Sequence, residues 1–302
     1  MTVTITANQV KELRERTGVG MMECKKALTE NEGSMDKAIL WLRERGLSRA
    51  AAKSTRAAAQ GVVEIAISPD QTAGIALEVN SETDFVASNP EFKAYAKTIA
   101  ELALSKKAKS IDEIKNLKLT TGKTAQETLT EMVARIGENM QLRRVSMLHT
   151  NSGVVAGYVH GGGKIGVLVA VDGGKGDQVI AATRDIAMHV AASSPRYLQA
   201  SDVPASELEQ EKELGRNKLL EEKKPAEMVE KILAGQMQKF YKEICLVDQP
   251  FVKDPAIAVA KYLTGVGATL KVASFIRFGL GEGIEKKEEN FADEVAKTLG
   301  NK

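Results

Sequence analysis

Two stretches of this chain repeat one another at a fixed spacing, and that repetition restricts its fold more than any other feature. Gly61-Val62-Val63 returns as Gly153-Val154-Val155, and Gly74 to Val79 returns as Gly166 to Val171, each 92 residues further on. In the first copy Val62, Val63, Ile65 and Ile67 form one β-rich run. Ile75, Leu77 and Val79 form a second, with the turn residues Ser68-Pro69-Asp70 between them. A helical pattern follows each pair of runs, carrying Phe92, Tyr95, Ile99 and Leu102 in the first copy and spanning roughly Gln178 to Ala192 in the second. The reading is an internal duplication of a β-β-α unit, and so an α+β core with antiparallel strands. Leu142 to Leu148 and Leu270 to Phe278 read as further strands, and Ala125 to Met140 and Ala256 to Leu263 as helices, with Lys106 to Lys123 polar and irregular.

Helices flank this core. Thr6 and Gln9 fit a capping box ahead of a stripe begun by Val10 and Leu13, and the helix stops at Thr17-Gly18-Val19-Gly20. A second helix carries Cys24, Ala27 and Leu28. A third, capped by Ser34, carries Ala38, Ile39, Trp41 and Leu42 and ends at Gly46, which gives a small three-helix bundle. Met21 and Met22 follow Gly20 at once, in a Gly-Val-Gly-Met-Met turn ahead of the second helix. They either fill the bundle's small core or form an adaptable binding surface, and adjacent positions cannot share one helix face. Leu47 to Gln60 reads as a helical or semi-ordered linker with a solvated basic face of Arg49, Lys53 and Arg56. Ser201 to Leu246 is charged and helical, with Ser206 and Glu209 suggesting a capping box and Lys224-Pro225 dividing it into an antiparallel hairpin at about 206–241. A last helix is expected over Asn290 to Leu299. The expected units are therefore 1–56, 57–150, 151–281 with the hairpin inside it, and a helical C-terminal module over 282–302.

Composition narrows the function classes. Across 302 residues, 42 Lys and Arg face 40 Asp and Glu, without the basic excess of a dedicated nucleic-acid binder. Neither DNA nor direct RNA contact is expected. Cys24 and Cys245 stand far apart without ligand-spaced neighbours, which argues against disulfides and zinc and suits a reducing cytoplasm. No signal peptide and no membrane span is read. His149, His160 and His189 have no metal-ligand spacing. His160-Gly161-Gly162-Gly163-Lys164 lacks the order of a phosphate loop and reads as a hairpin turn. No active site, metal or cofactor is expected.

One loop remains. Between the second strand and its helix lies Ser81-Glu82-Thr83-Asp84-Phe85-Val86-Ala87, a carboxylate beside a ring in a chain with few aromatics. It is either a helix N-cap (Thr83 or Asp84) with Phe85 tucked inward, or a protruding knob that enters a partner. The second copy has Asp172-Gly173-Gly174-Lys175 at that place, so the fold does not demand the acid-aromatic loop.

Several of these stretches resemble the bacterial elongation factor Ts family. They are Ile5-Thr6-Ala7 with Val10 to Leu28, Val79 to Ala87, Ile136-Gly137-Glu138-Asn139, His160-Gly161 with Ile165 to Val169, His189-Val190-Ala191-Ala192, and Arg277-Phe278 with Gly281 to Lys286. The resemblance runs end to end. It implies a ubiquitin-associated-like N-terminal domain, a duplicated α+β core, a helical hairpin and a C-terminal module. It also implies a guanine-nucleotide exchange factor of translation elongation that binds elongation factor Tu, displaces its magnesium and releases GDP. Residues Thr83, Asp84, Phe85 and Val86 match the family loop that pushes in near that magnesium. Arg14, Met21 and Met22 match its N-terminal contacts, His160 matches a contact to another part of the partner, and the C-terminal module is expected to dock as well. The Gly161-Gly162-Gly163 run beside His160 departs from the family pattern. A homodimer through the hairpin or the core stays open.

Overall fold

The computed structural model describes residues 4–222 and 224–284. The expected helix over Asn290 to Leu299, and the C-terminal module beyond Ile284, lie outside the described residues.

The chain opens with α1 (Ala7–Thr17), α2 (Met21–Glu30) and α3 (Met35–Lys53). The capping box at α1 forms as read: Thr6 Oγ1 accepts from the Gln9 amide while the Gln9 side chain accepts from the Thr6 amide. Val10, Leu13, Cys24, Ala27, Leu28, Ala38 and Leu42 close a small core between the three helices. Gly46 does not end α3, which continues to Lys53. Ala134 packs against Gly46 where a larger residue would collide, so tertiary contact overrides the weak helix propensity of glycine.

The first half of the core follows as β1 (Gln60–Ile67), β2 (Ala73–Ser81), α4 (Asp84–Ser88), α5 (Pro90–Lys106), α6 (Ile111–Lys115), α7 (Ala125–Ile136) and β3 (Met140–His149). The short α6 lies inside the stretch expected to be irregular; Ser110 caps it and buried Ile114 fixes it. The second half comprises β4 (Gly153–His160), β5 (Ile165–Asp172), α8 (Asp177–Ser193), α9 (Ala205–Glu221), α10 (Ala226–Ile244), β6 (Pro250–Phe251), β7 (Asp254–Ala258), α11 (Val259–Val266) and β8 (Lys271–Gly279). Two expectations shift here. Pro204, without a side-chain cap, precedes α9 in place of the expected Ser206 box, and residues 254–258 form β7 before the helix that was expected from Ala256.

Two three-stranded antiparallel sheets result, ordered β1-β2-β3 and β4-β5-β8. They correspond in detail. The register slips between Glu78 and Val79 in β2 and between Ala170 and Val171 in β5, positions 92 residues apart. A β-bulge of this kind re-aims a strand. At each bulge the neighbouring strand carries a glycine, Gly61 or Gly153, where a Cβ would collide with the carbonyl of Val79 or Val171.

The period-2 alternation of the strands sorts their side chains into two layers. Ile75, Leu77 and Val79 point to α5 and α7, and Val167, Val169 and Val171 point to α8 and α11. The opposite faces, with Ala76, Val155, Leu168 and Ala170, pack against each other, so the layers run helix, sheet, sheet, helix. Glu78 falls on this inner face and is fully buried. Arg143 (2.9 Å), Arg144, the Asn80 amide and the Gly281 N–H (2.9 Å) satisfy its carboxylate, tying the end of β8 to the first sheet. A buried charge is tolerated only with such a full set of partners.

Candidate functional site

Both readings of the acid-aromatic loop are half right. Thr83 is the N-cap of α4: its backbone is extended, and its hydroxyl accepts from the Val86 amide at 3.3 Å. Yet Phe85 is not tucked inward. It stands 84% exposed while the adjacent Val86 is 6% exposed and packs into the core of the first half. Asp84 is exposed beside Phe85. A short helix rooted by one apolar side chain thus presents an acid and a ring to solvent.

The foot of this loop meets the turn between α7 and β3, because β2 and β3 are antiparallel neighbours that pair Ser81 with Met140. The two turns cap one another. Glu138 accepts from the Thr83 amide (3.0 Å) and hydroxyl (2.7 Å), and Glu82 accepts from the Asn139 amide (2.6 Å). Ser81 donates from its hydroxyl to the Thr83 carbonyl at 2.9 Å. Charged acceptors on backbone N–H groups make strong bonds, so the loop is held from outside itself.

The basic segment after α3 is drawn into the same foot. Lys53 donates to the Gly137 carbonyl, Arg56 pairs with Glu82 at 3.6 Å, and the Asn139 amide group donates to the Arg56 carbonyl at 2.7 Å. Arg56 keeps much of its side chain in solvent while pairing with Glu82, whereas Lys53 is half-buried.

Met21 and Met22, 55% and 78% exposed, open α2 outside the bundle core. Cys24 lies beneath them and donates its thiol hydrogen to the Val19 carbonyl at 3.3 Å, fixing the turn. Burial pushes the Cys24 thiol above its ordinary range, and the Thr17 contact only partly opposes this, so it stays protonated. Arg14 is exposed in the last turn of α1, where its carbonyl accepts the Gly18 amide. Gly18 itself adopts φ 67°, and the Arg135 side chain of α7 crosses it where a Cβ would sit.

His160 ends β4, exposed, with Nδ1 3.0 Å from the Tyr158 hydroxyl. Gly161, Gly162 and Gly163, all at positive φ, make the hairpin turn to β5. That turn lies on the free edge of β1, where the Val63 amide donates to the Gly163 carbonyl at 2.8 Å. The loop and the methionine turn are linked through α7 and the turn after it, whereas among the described residues no hydrogen bond joins His160 to either. Sequence reasoning singled out neither Glu138 nor Asn139 for this role, although both lie in a stretch that carried the resemblance.

Among the described residues no group of three or more His, Cys, Asp or Glu could hold a metal ion, and no helix is long and apolar enough to cross a membrane. His189 is buried, with Nε2 donating to Gln249 (2.9 Å) and Nδ1 accepting from the Val252 amide (3.1 Å), so it serves as a structural pin.

Comparison with known proteins agrees with the sequence resemblance. A family model described as "Elongation factor TS" matches residues 82–282. The chain is 48% identical over 301 residues to the elongation factor Ts of Clostridium perfringens (strain 13 / Type A), covering 98% of this chain and 99% of that protein. It is 48% identical over 300 residues to that of Clostridioides difficile (strain 630), with the same coverage. With that of Halothermothrix orenii it shares 46% over 302 residues, 99% of each chain.

Proposed function

The chain belongs to the elongation factor Ts family, and on that premise we propose that it is the guanine-nucleotide exchange factor for elongation factor Tu in translation. It binds the GDP-bound GTPase, disturbs the magnesium ion there and releases GDP so that GTP can enter. The observation that carries this reading is Phe85, standing free on a clamped loop beside Asp84. Within it, Phe85 and Asp84 form the wedge, Thr83 caps it and Val86 roots it. Met21, Met22 and Arg14 are a second docking element, and His160 a third. We read the matched sheets as a duplication and the three-helix bundle as ubiquitin-associated-like.

Such a factor needs no bond-making chemistry. It must bind the nucleotide-free partner more tightly than the GDP-bound one, and linkage makes that preference reciprocal, so the factor lowers GDP affinity by the same ratio. Magnesium offsets the phosphate charge, and an inserted carboxylate and ring that disturb its surroundings weaken the hold on the diphosphate. An exposed aromatic suits this work, since a buried aromatic anchor supplies much of an interface's energy.

The test is release of labelled GDP from purified elongation factor Tu, with and without free magnesium. Catalytic amounts of this chain should accelerate release, most strongly when magnesium is present. No acceleration in either condition would overturn the reading.

A further inference from the structure

The bonds at the foot of the wedge reach beyond the loop. α4 has five residues, one turn more or less, and a helix so short does not hold itself in water. Val86 roots one side of it, and Glu138 grips the other at the Thr83 amide and hydroxyl. The turn that supplies Glu138 is itself gripped by the N-terminal bundle: Lys53 takes the Gly137 carbonyl, and Asn139 takes the Ser54 and Arg56 carbonyls. Two residues before Gly137, Arg135 lies across Gly18, just ahead of the methionine turn, and pairs with Glu91 at the start of α5, just behind the wedge. The bundle packs on α7 through Gly46 and Ala134, with a gap beside that contact. This cleft of about 300 Å³ has Leu42, Arg43 and Arg135 in its walls. The polar ties add to this packing in fixing the geometry.

We propose that Glu138 and Asn139, with Arg135 and Lys53, are positioning residues that lock the wedge and the methionine turn to one another. The two docking elements then meet the partner as one preorganised template. This inference rests on the partner-docking reading above. Its physical content is that rigidity held in advance spares the cost of ordering on binding.

The full-length chain tests it through Glu138→Ala, Glu138→Gln and Lys53→Met. The first measurement needs no partner: amide hydrogen exchange of the segment 82–88 in the free protein. Losing these charge-assisted bonds should speed exchange there by roughly tenfold or more in Glu138→Ala. Glu138→Gln keeps one acceptor oxygen and should recover part of the protection. Lys53→Met should also speed it, although Lys53 touches no atom of the loop. The second measurement is GDP release from elongation factor Tu. The rate at saturating factor should fall by about tenfold in Glu138→Ala, while the half-saturating concentration moves less than about threefold, because the methionine anchors remain. Unchanged protection of 82–88 in both Glu138→Ala and Lys53→Met overturns the proposal. Should Glu138→Ala not fold, the same segment in Glu138→Gln and Lys53→Met decides. A wild-type chain that fails to release GDP sinks the exchange-factor reading alone, since the protection measurement still decides on the lock.

Discussion

Phe85 and Val86 are adjacent in sequence and opposite in fate, one 84% and the other 6% exposed. Truncating Phe85 should therefore leave the free protein's stability within about 0.5 kcal/mol, the usual range for a surface change. In catalysed GDP release the same Phe85→Ala change should cost about 2 kcal/mol, roughly thirtyfold, the value of one aromatic anchor. Melting curves beside release kinetics check both halves, and a large loss of stability would contradict the exposed ring. Asp84→Ala should act in the same direction, and both effects should shrink when the partner begins without magnesium. His189 offers a second test. Burial pushes its pKa down, only partly opposed by the Gln249 bond, and both ring nitrogens are already committed as those of a neutral imidazole. Of the charges on its helix and on the packed 250–262 segment, Asp185 and Lys253 pair at 2.6 Å, and the Tyr262 hydroxyl also donates to Asp185 at 3.0 Å. With a lowered folded-state pKa, the unfolded chain binds the proton more readily, so stability rises with pH. The His189 contribution should be complete above the ordinary value near 6.5 and decline below it, by at most about 1.4 kcal/mol per pH unit for one proton. Urea unfolding of wild type and His189→Gln from pH 7.5 to 5 checks this: the variant should show the shallower decline.

At the scale of elements, the bundle turn and the α9–α10 hairpin make contrasting predictions. Met21→Ala with Met22→Ala should leave the bundle folded, since its core is built from Leu13, Cys24, Leu28 and their neighbours. It should weaken association with elongation factor Tu by about 2 kcal/mol or more for two apolar anchors, measured by titration calorimetry. Unchanged affinity would remove the methionines from the interface. The hairpin buries Leu219, Val229, Leu233 and Met237 between its own helices, while its base is held by Tyr197, Val203, Leu208, Phe240, Ile244 and Cys245. Replacing residues 212–234 with a short Gly-Ser turn should thus preserve the core's melting transition and most of the exchange rate. How far such elements could be read from sequence follows from the range of the forces that make them. The capping boxes at Thr6 and Thr124 and the helix start at Pro90 are local chemistry, and caps of this kind mark a terminus from a few residues. Gly46 misleads because Ala134, far along the chain, accommodates it, and β7 because its partner strand has two residues. The wedge was ambiguous in sequence since a capped helix and an exposed ring are not alternatives; Thr83 does one and Phe85 the other. Glu138 escaped notice as the clamp because the residue it grips lies 55 positions away.

Across the whole molecule the two sheets match in order and bulge position, yet their third strands arrive after very different detours. β3 closes the first sheet 59 residues after β2 ends, with α4 to α7 between; β8 closes the second 99 residues after β5 ends, the hairpin and α11 lying in the gap. Loop-closure entropy alone penalises the longer excursion only slightly, by a few tenths of a kcal/mol. Synthesis adds a larger asymmetry, because the chain emerges from its N-terminal end at roughly 5–20 residues per second. The first sheet, its helices and the clamped wedge are complete once His149 is free, whereas the second half waits for Gly279 with the apolar inner faces of β4 and β5 unclosed on one edge. The matched halves therefore acquire an order in time. The half that carries Phe85 should form first and offer its inner face, Ala76 and Ile65 among it, as a surface on which the later hairpin of β4 and β5 can settle. Arrest of synthesis near residue 220, so that β5 has left the ribosome, followed by limited proteolysis, should find residues 60–149 protected and β4 and β5 still open to cleavage.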